Sequence, residues 1–112
     1  MTNDKPLEKL VIDGSYTRGL SLDEVFQKLT HDLSTLEPGE IVRFSREGDT
    51  EGHCYEATAY IGAMMIKHGY LLRTTRRNIE RIRSGIGGQF HFEYDEQKDA
   101  YRLKTPSPSK ED

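Results

Sequence analysis

The pattern that most constrains this chain is a clearly marked amphipathic helix in its first third. Ser21 and Glu24 form an S-x-x-E capping box, in which each side chain bonds the backbone amide of the other residue. Apolar residues then recur at helical spacing over residues 22–36, and Glu37-Pro38-Gly39 follows as a stop signal. The sequence therefore predicts a helix that begins after Ser21 and packs one apolar side on a core.

Short apolar runs and further helical patterns alternate along the rest of the chain. The predicted strands are Leu10-Val11-Ile12, Ile41-Val42-Arg43-Phe44 and Tyr70-Leu71-Leu72, of which the last could also be only a connector. Helical patterns cover residues 54–68 and the segment after Thr75, and alternating aromatic residues predict a hairpin over 90–103. The order β-α-β-α-(β)-α-β-β predicts an α+β fold, a two-layer sandwich with an antiparallel or mixed sheet and a C-terminal β-hairpin.

The length and composition predict one small domain with short polar ends. The chain has 112 residues, of which 34% are hydrophobic and 31% are charged. Residues 8–104 are expected to form the domain, with a flexible tail at 1–7. Residues 105–112 contain two prolines and no apolar residue, which predicts a disordered tail.

A single cysteine and the absence of a long apolar segment predict a soluble cytoplasmic protein. Cys54 cannot form an intrachain disulfide, which fits a reducing compartment. No signal-peptide core is present near the N-terminus, and the longest apolar run, residues 57–66, is too short to span a bilayer. We therefore expect no membrane partner.

Three segments between residues 9 and 75 match the pattern of a small α/β sandwich. They are Asp13 with Arg18-Gly19-Leu20, the step Leu36-Glu37-Pro38-Gly39-Glu40-Ile41, and the helix end Lys67-His68-Gly69-Tyr70-Leu71. On these segments the chain resembles the TusA/SirA-like sulfur carriers, which implies their two-layer fold. That family carries sulfur on a cysteine followed by proline at the start of the first helix, where this chain has Leu22 and Asp23. The resemblance thus speaks for the fold and against the activity.

A second resemblance covers residues 74–104. The segment Thr75-Arg76-Arg77-Asn78-Ile79-Glu80-Arg81-Ile82 is followed by Phe92-Glu93-Tyr94-Asp95 and Asp99-Ala100-Tyr101-Arg102-Leu103. These segments are similar to the recognition helix and the wing of winged-helix regulators of the DeoR or WYL type. The resemblance implies that the helix and the hairpin contact DNA together.

The most distinctive local feature is a run of five arginines within residues 73–83 of a chain whose formal net charge is −3. Arginine forms bidentate contacts with phosphates, and an asparagine on such a helix can bond the edge of an adenine. The candidate nucleic-acid-binding residues are Arg73, Arg76, Arg77, Asn78, Arg81 and Arg83. Two alternatives stay open, namely a docking patch for an acidic protein and a solvated surface with pairs such as Arg76–Glu80.

The second predicted helix is apolar almost all round, so it is either sandwiched within the fold or in contact with a partner. The candidate partner-binding residues are Tyr60, Met64 and Met65. They predict a homodimer or a defined protein partner, as in a small inhibitor or adaptor of phage or bacterial origin.

No catalytic or metal-binding signature is present in the sequence. Cys54 opens a predicted helix, which lowers a thiol pKa, although a small buried cysteine is the more common state. The four histidines have none of the spacings that zinc sites use. Phe90, Phe92, Tyr94 and Tyr101 are expected to form the core side of the hairpin instead of a base-stacking surface.

These observations predict a non-enzymatic nucleic-acid-binding regulatory protein, without cofactor or metal, that binds DNA or RNA through the arginine helix and the adjacent hairpin. The first alternative is a protein-interaction module, and the second is a sulfur-transfer protein that uses Cys54.

Overall fold

The computed structural model describes residues 5–104 and confirms a small α+β fold. The strands are β1 (Leu10–Ile12), β2 (Ile41–Phe44), β3 (Leu71–Arg73), β4 (His91–Asp95) and β5 (Ala100–Lys104). The helices are α1 (Gly14–Thr17), α2 (Leu22–Ser34), α3 (His53–Glu56), α4 (Thr58–His68) and α5 (Arg76–Ile86). The predicted tail at 105–112 and residues 1–4 of the other predicted tail lie outside the described residues.

The five strands form one mixed sheet in the order β1-β2-β3-β5-β4. β1, β2 and β3 are parallel, while β5 runs antiparallel to β3 and pairs with β4 in the predicted hairpin. The strand that the sequence left uncertain is β3, and it is the central one. The carboxyl ends of β1, β2 and β3 therefore meet at one edge of the sheet, where α5 begins.

The helices cover one face of this sheet. Successive side chains of a strand point to opposite faces of the sheet, and the side chains on the helix face enter the core. The strands contribute Ile12, Val42 and Leu72, and the helices contribute residues such as Leu29 and Ile61. A separate small cluster of Ile41, Leu71 and Ala100 lies on the opposite face. The arrangement is the predicted two-layer sandwich.

The capping box of α2 is present as predicted. The Ser21 hydroxyl accepts a hydrogen bond from the Glu24 amide at 3.2 Å, and the Glu24 carboxylate accepts one from the Ser21 amide at 2.8 Å. Val25, Leu29 and Leu33 are buried on the side of α2 that meets the core. α2 ends at Ser34, before Leu36 at the end of the predicted helical pattern.

One short helix was not predicted, and one predicted helix is divided into two. The carboxylate of Asp13 accepts from the amides of Ser15 and Tyr16, so the turn after β1 becomes the short helix α1. The helix predicted over residues 54–68 is divided into α3 and α4 at Ala57, whose ψ of −2° departs from helical geometry.

The apolar helix α4 lies between α2 and α5, which explains its composition without an external partner. Glycine lets α4 and α5 approach closely, because a Cβ at Gly62 would lie 2.3 Å from the Ile82 Cγ2 atom. Near the end of α5, a Cβ at Gly85 would lie 2.8 Å from the Cβ of Ala59. The contact between these helices therefore depends on small side chains.

We expect Gly62→Val to lower the free energy of unfolding by about 1–3 kcal/mol, because the new side chain overlaps Ile82. Valine has a slightly higher helix propensity than glycine, so a loss of stability would come from the overlap and not from propensity. The matched control is Gly88→Val, at a position where an added Cβ meets nothing within 4 Å. Urea denaturation followed by circular dichroism measures the free energy of unfolding of both variants. Equal stability of the two variants would contradict the described packing.

Candidate nucleic-acid interface

The run of five arginines is divided by the boundary between a strand and a helix. Arg73 is the last residue of β3, and Arg76 is the first residue of α5. Thr75 caps α5 as predicted, since its hydroxyl accepts from the Asn78 amide at 3.2 Å. The five arginines therefore do not lie on a single surface.

Arg73 is a structural residue, which corrects its prediction as a nucleic-acid contact. Its guanidinium donates to the carbonyls of Asp99 at 2.9 Å, Lys98 at 2.7 Å and Pro6 at 2.9 Å, and lies 3.3 Å from the carboxylate of Glu8. Only 18% of the side chain is exposed. These bonds join the N-terminal segment and the hairpin turn to the central strand, so the guanidinium has little capacity left for a ligand.

Asn78 also differs from its predicted role. Its side chain is 5% exposed, and its amide donates to the Thr74 hydroxyl at 2.9 Å. The Thr74 hydroxyl donates in turn to the Phe44 carbonyl at 2.8 Å. Asn78 thus fixes the start of α5 to the end of β2 and cannot reach an adenine edge in this conformation.

Arg76 and Arg77 are exposed in the first turn of α5, as the prediction requires. This turn contains no acidic residue, and within residues 5–104 neither arginine forms an ion pair. The amino end of a helix carries a partial positive charge and normally attracts carboxylates. Two arginines there add positive potential that no direct ion pair within residues 5–104 neutralises.

The other two arginines of the run already contact side chains of the protein. Arg81 lies over the ring of Tyr55 at 4.3 Å, and Arg46 lies over the same ring at 4.7 Å. Arg83 pairs with Glu80 at 3.2 Å, whereas the sequence suggested Arg76 as a partner for Glu80. Arg81 is therefore turned towards α3, while Arg83 remains 40% exposed.

A groove of about 500 Å³, the strand-end groove, lies at the carboxyl ends of β2 and β3 beside the start of α5. Its walls carry four arginines and two acids, which are Arg43, Arg46, Arg73, Arg77, Glu47 and Asp99. Ligands of open α/β sheets commonly bind outside the carboxyl ends of parallel strands. Sequence reasoning missed Arg43 and Arg46, because only the parallel pairing of β2 and β3 places them beside α5.

A second groove of about 400 Å³, the hairpin groove, separates α5 from the β4–β5 hairpin. Arg76 and Arg83 line it on the helix, and Phe92, Tyr94 and Tyr101 line it on the strands. Phe92 and Tyr101 pack against the core as predicted, but Tyr94 is 45% exposed. The prediction of a core-facing aromatic stripe is therefore wrong for Tyr94.

The three candidate partner-binding residues do not form a surface. Met64 and Met65 are 7% and 2% exposed, because α4 directs them into the core. Tyr60 is partly buried, packs edge-on against Phe26 with ring centroids 5.3 Å apart, and shares a hydrogen bond with Thr30. Only Tyr60 retains some accessible surface, so the expected contact through the methionines is corrected.

Cys54 is fully buried, and its sulfur lies 3.9 Å from the Thr17 hydroxyl. Burial, together with the nearby carboxylate of Asp49, raises the pKa of Cys54 to about 11. The expected lowering of the thiol pKa at a helix start is therefore wrong. Within residues 5–104, no group of three histidine, cysteine, aspartate or glutamate residues is placed to hold a metal ion.

No protein family matches the chain, and neither a curated protein nor a solved structure is significantly similar to it. The resemblances to sulfur carriers and to winged-helix regulators stay predictions. Of the helices within residues 5–104, none combines the length and the apolar character that crossing a membrane requires.

We expect Cys54 in the native protein to react very slowly with iodoacetamide at pH 7. A rise in pKa from 9.0 to about 11 reduces the thiolate fraction at pH 7 by about a hundredfold, and burial slows access further. The reaction should accelerate with pH until the pH approaches 11. The same thiol in concentrated urea is the matched control, and native alkylation as fast as in urea would show that the thiol is accessible.

Proposed function

We propose that this domain binds nucleic acid, without catalysing a reaction, through the surface formed by Arg43, Arg46, Arg76, Arg77 and Arg83, here called the cationic surface. The observation that carries the proposal is the pair Arg76 and Arg77, exposed and without ion-pair partners in residues 5–104 at the amino end of α5. A polyanion that contacts this turn relieves the repulsion among the arginines and gains the favourable end of the helix dipole.

The two grooves extend this positive potential to both sides of α5. Arg77 lines the strand-end groove together with Arg43 and Arg46, and Arg76 lines the hairpin groove together with Arg83. Consecutive phosphates that cross the first turn of α5 can therefore meet arginines in both grooves. Because the whole chain carries a formal charge of −3, the attraction is local, and the affinity should depend strongly on salt.

The described contacts give less support to the alternative functions. A sulfur-transfer protein needs an accessible thiolate, whereas Cys54 is buried and its pKa is raised. An interaction module was suggested by the apolar helix α4, which α2 and α5 cover. An acidic protein would use the same cationic surface, so the test measures the binding of nucleic acid itself, at two salt concentrations.

We expect the double substitution Arg76→Ala and Arg77→Ala to abolish most binding to labelled oligonucleotides. Fluorescence anisotropy at about 50 and about 200 mM salt should show tight binding that weakens by orders of magnitude in the original protein. If each arginine neutralises one phosphate, the double variant should reduce the slope of log affinity against log salt by about two.

The matched control is Lys67→Ala with Lys104→Ala, which removes the same charge from exposed positions in the last turn of α4 and at the carboxyl end of β5. Both positions lie towards the amino end of β3, away from the start of α5. This control should bind nearly as the original protein does. An original protein that fails to bind single- or double-stranded oligonucleotides at about 50 mM salt would exclude the proposed function, as would equal losses in the two double variants.

A further inference from the structure

The hairpin groove combines aromatic and cationic groups in a way that the strand-end groove does not. Tyr94 exposes 45% of its surface beside Tyr101, and the two ring centroids are 5.2 Å apart. Arg76 and Arg83 line the opposite wall, two helical turns apart and thus separated by about 10 Å along the axis. Glu80 lines the same wall and pairs with Arg83 at 3.2 Å. The exposed ring of Tyr94 therefore shares its groove with two guanidinium groups, of which that of Arg76 has no ion-pair partner within residues 5–104.

The ring of Tyr94 is held in place before any ligand arrives. Its hydroxyl donates a hydrogen bond to the carboxylate of Asp99, whose backbone carbonyl accepts from Arg73. β4 is the last strand of the sheet, so no other strand within residues 5–104 lies beyond it. A ring that is already ordered loses little conformational freedom when a ligand stacks on it.

We propose that the hairpin groove binds an unpaired nucleobase and that the ligand of this domain is single-stranded nucleic acid. The inference rests on the proposed function, because the cationic surface must hold the phosphates on either side of the base. Proteins that bind single strands combine a positive groove with aromatic rings on which bases stack, and every base has a face that suits this contact. In a duplex both faces of each base are covered by its neighbours, so Tyr94 could not stack on one.

A lone exposed tyrosine is common on protein surfaces and would not by itself indicate a ligand. Tyr94 differs because its exposed ring lines a groove of about 400 Å³ that also contains two arginines. Ligand sites typically begin at about 300 Å³, and this groove combines aromatic rings on the strands with charged side chains on the helix. This space suits one or two bases.

The test measures the affinities of three labelled ligands with equal numbers of phosphates, namely a mixed-sequence single strand, a duplex and an abasic strand. Replacing Tyr94→Ala should weaken binding of the mixed strand by about tenfold, within the range that loss of one stacked base causes. Binding of the abasic strand should change less than twofold, which also shows that the cationic surface is intact. Tyr94→Phe keeps the ring and should retain most of the affinity for the mixed strand.

A second readout uses the absence of tryptophan from the sequence. In the variant Tyr94→Trp, the single indole should lose fluorescence when the mixed strand binds and remain nearly unchanged with the abasic strand. This measurement does not depend on how well Tyr94→Ala folds.

The outcomes separate this inference from the proposed function. Unchanged affinity of Tyr94→Ala for the mixed strand, or a duplex that binds as tightly as the single strand, would overturn the base-binding groove. If Arg76→Ala with Arg77→Ala still weakens binding in that case, the proposed function is supported without the base-binding groove. An original protein that binds none of the three ligands at about 50 mM salt contradicts both.

Discussion

The close packing of α5 on α4 is the contact on which the proposed binding surface depends. Gly62 has no side chain, so Ile82 can enter the space above α4 and bury the apolar side of α5. Once Ile79 and Ile82 face the core, helical geometry directs Arg77 to the opposite side of α5. Arg76 lies one turn before Ile79, and it is exposed because it is the first residue of the helix, at the edge where the parallel strands end. A packing constraint in the core therefore determines where positive charge meets solvent.

Polar side chains then fix the start of α5 against the sheet. Thr74 joins the Phe44 carbonyl to the Asn78 side chain, and Arg73 joins the central strand to the hairpin turn and the N-terminal segment. These residues hold the cationic surface and the hairpin groove in a fixed relation without contacting the proposed ligand. Arginines only a few residues apart thus have different roles, because a strand ends and a helix begins between them.

The elements predicted correctly depend on local signals. The capping box of α2, the Thr75 cap and the alternation of the hairpin each lie within a few residues of sequence. The role of Arg73 could not be predicted in this way, because its bond to Pro6 spans 67 residues. The exposure of Tyr94 depends on the strand order, which places β4 at the edge of the sheet and β5 inside it. Periodicity alone identifies a hairpin but does not tell which of its strands is covered.

The most direct test of the proposed binding surface is an NMR titration of the ¹⁵N-labelled protein with an unlabelled single-stranded oligonucleotide at about 50 mM salt. We expect the largest amide shift changes at Arg46, Arg76, Arg77 and Tyr94, which surround the two grooves. The amides near Tyr60, on the outer side of α2 and α4, should change little. Shift changes centred on Tyr60, or no changes at all, would contradict a nucleic-acid surface at the amino end of α5.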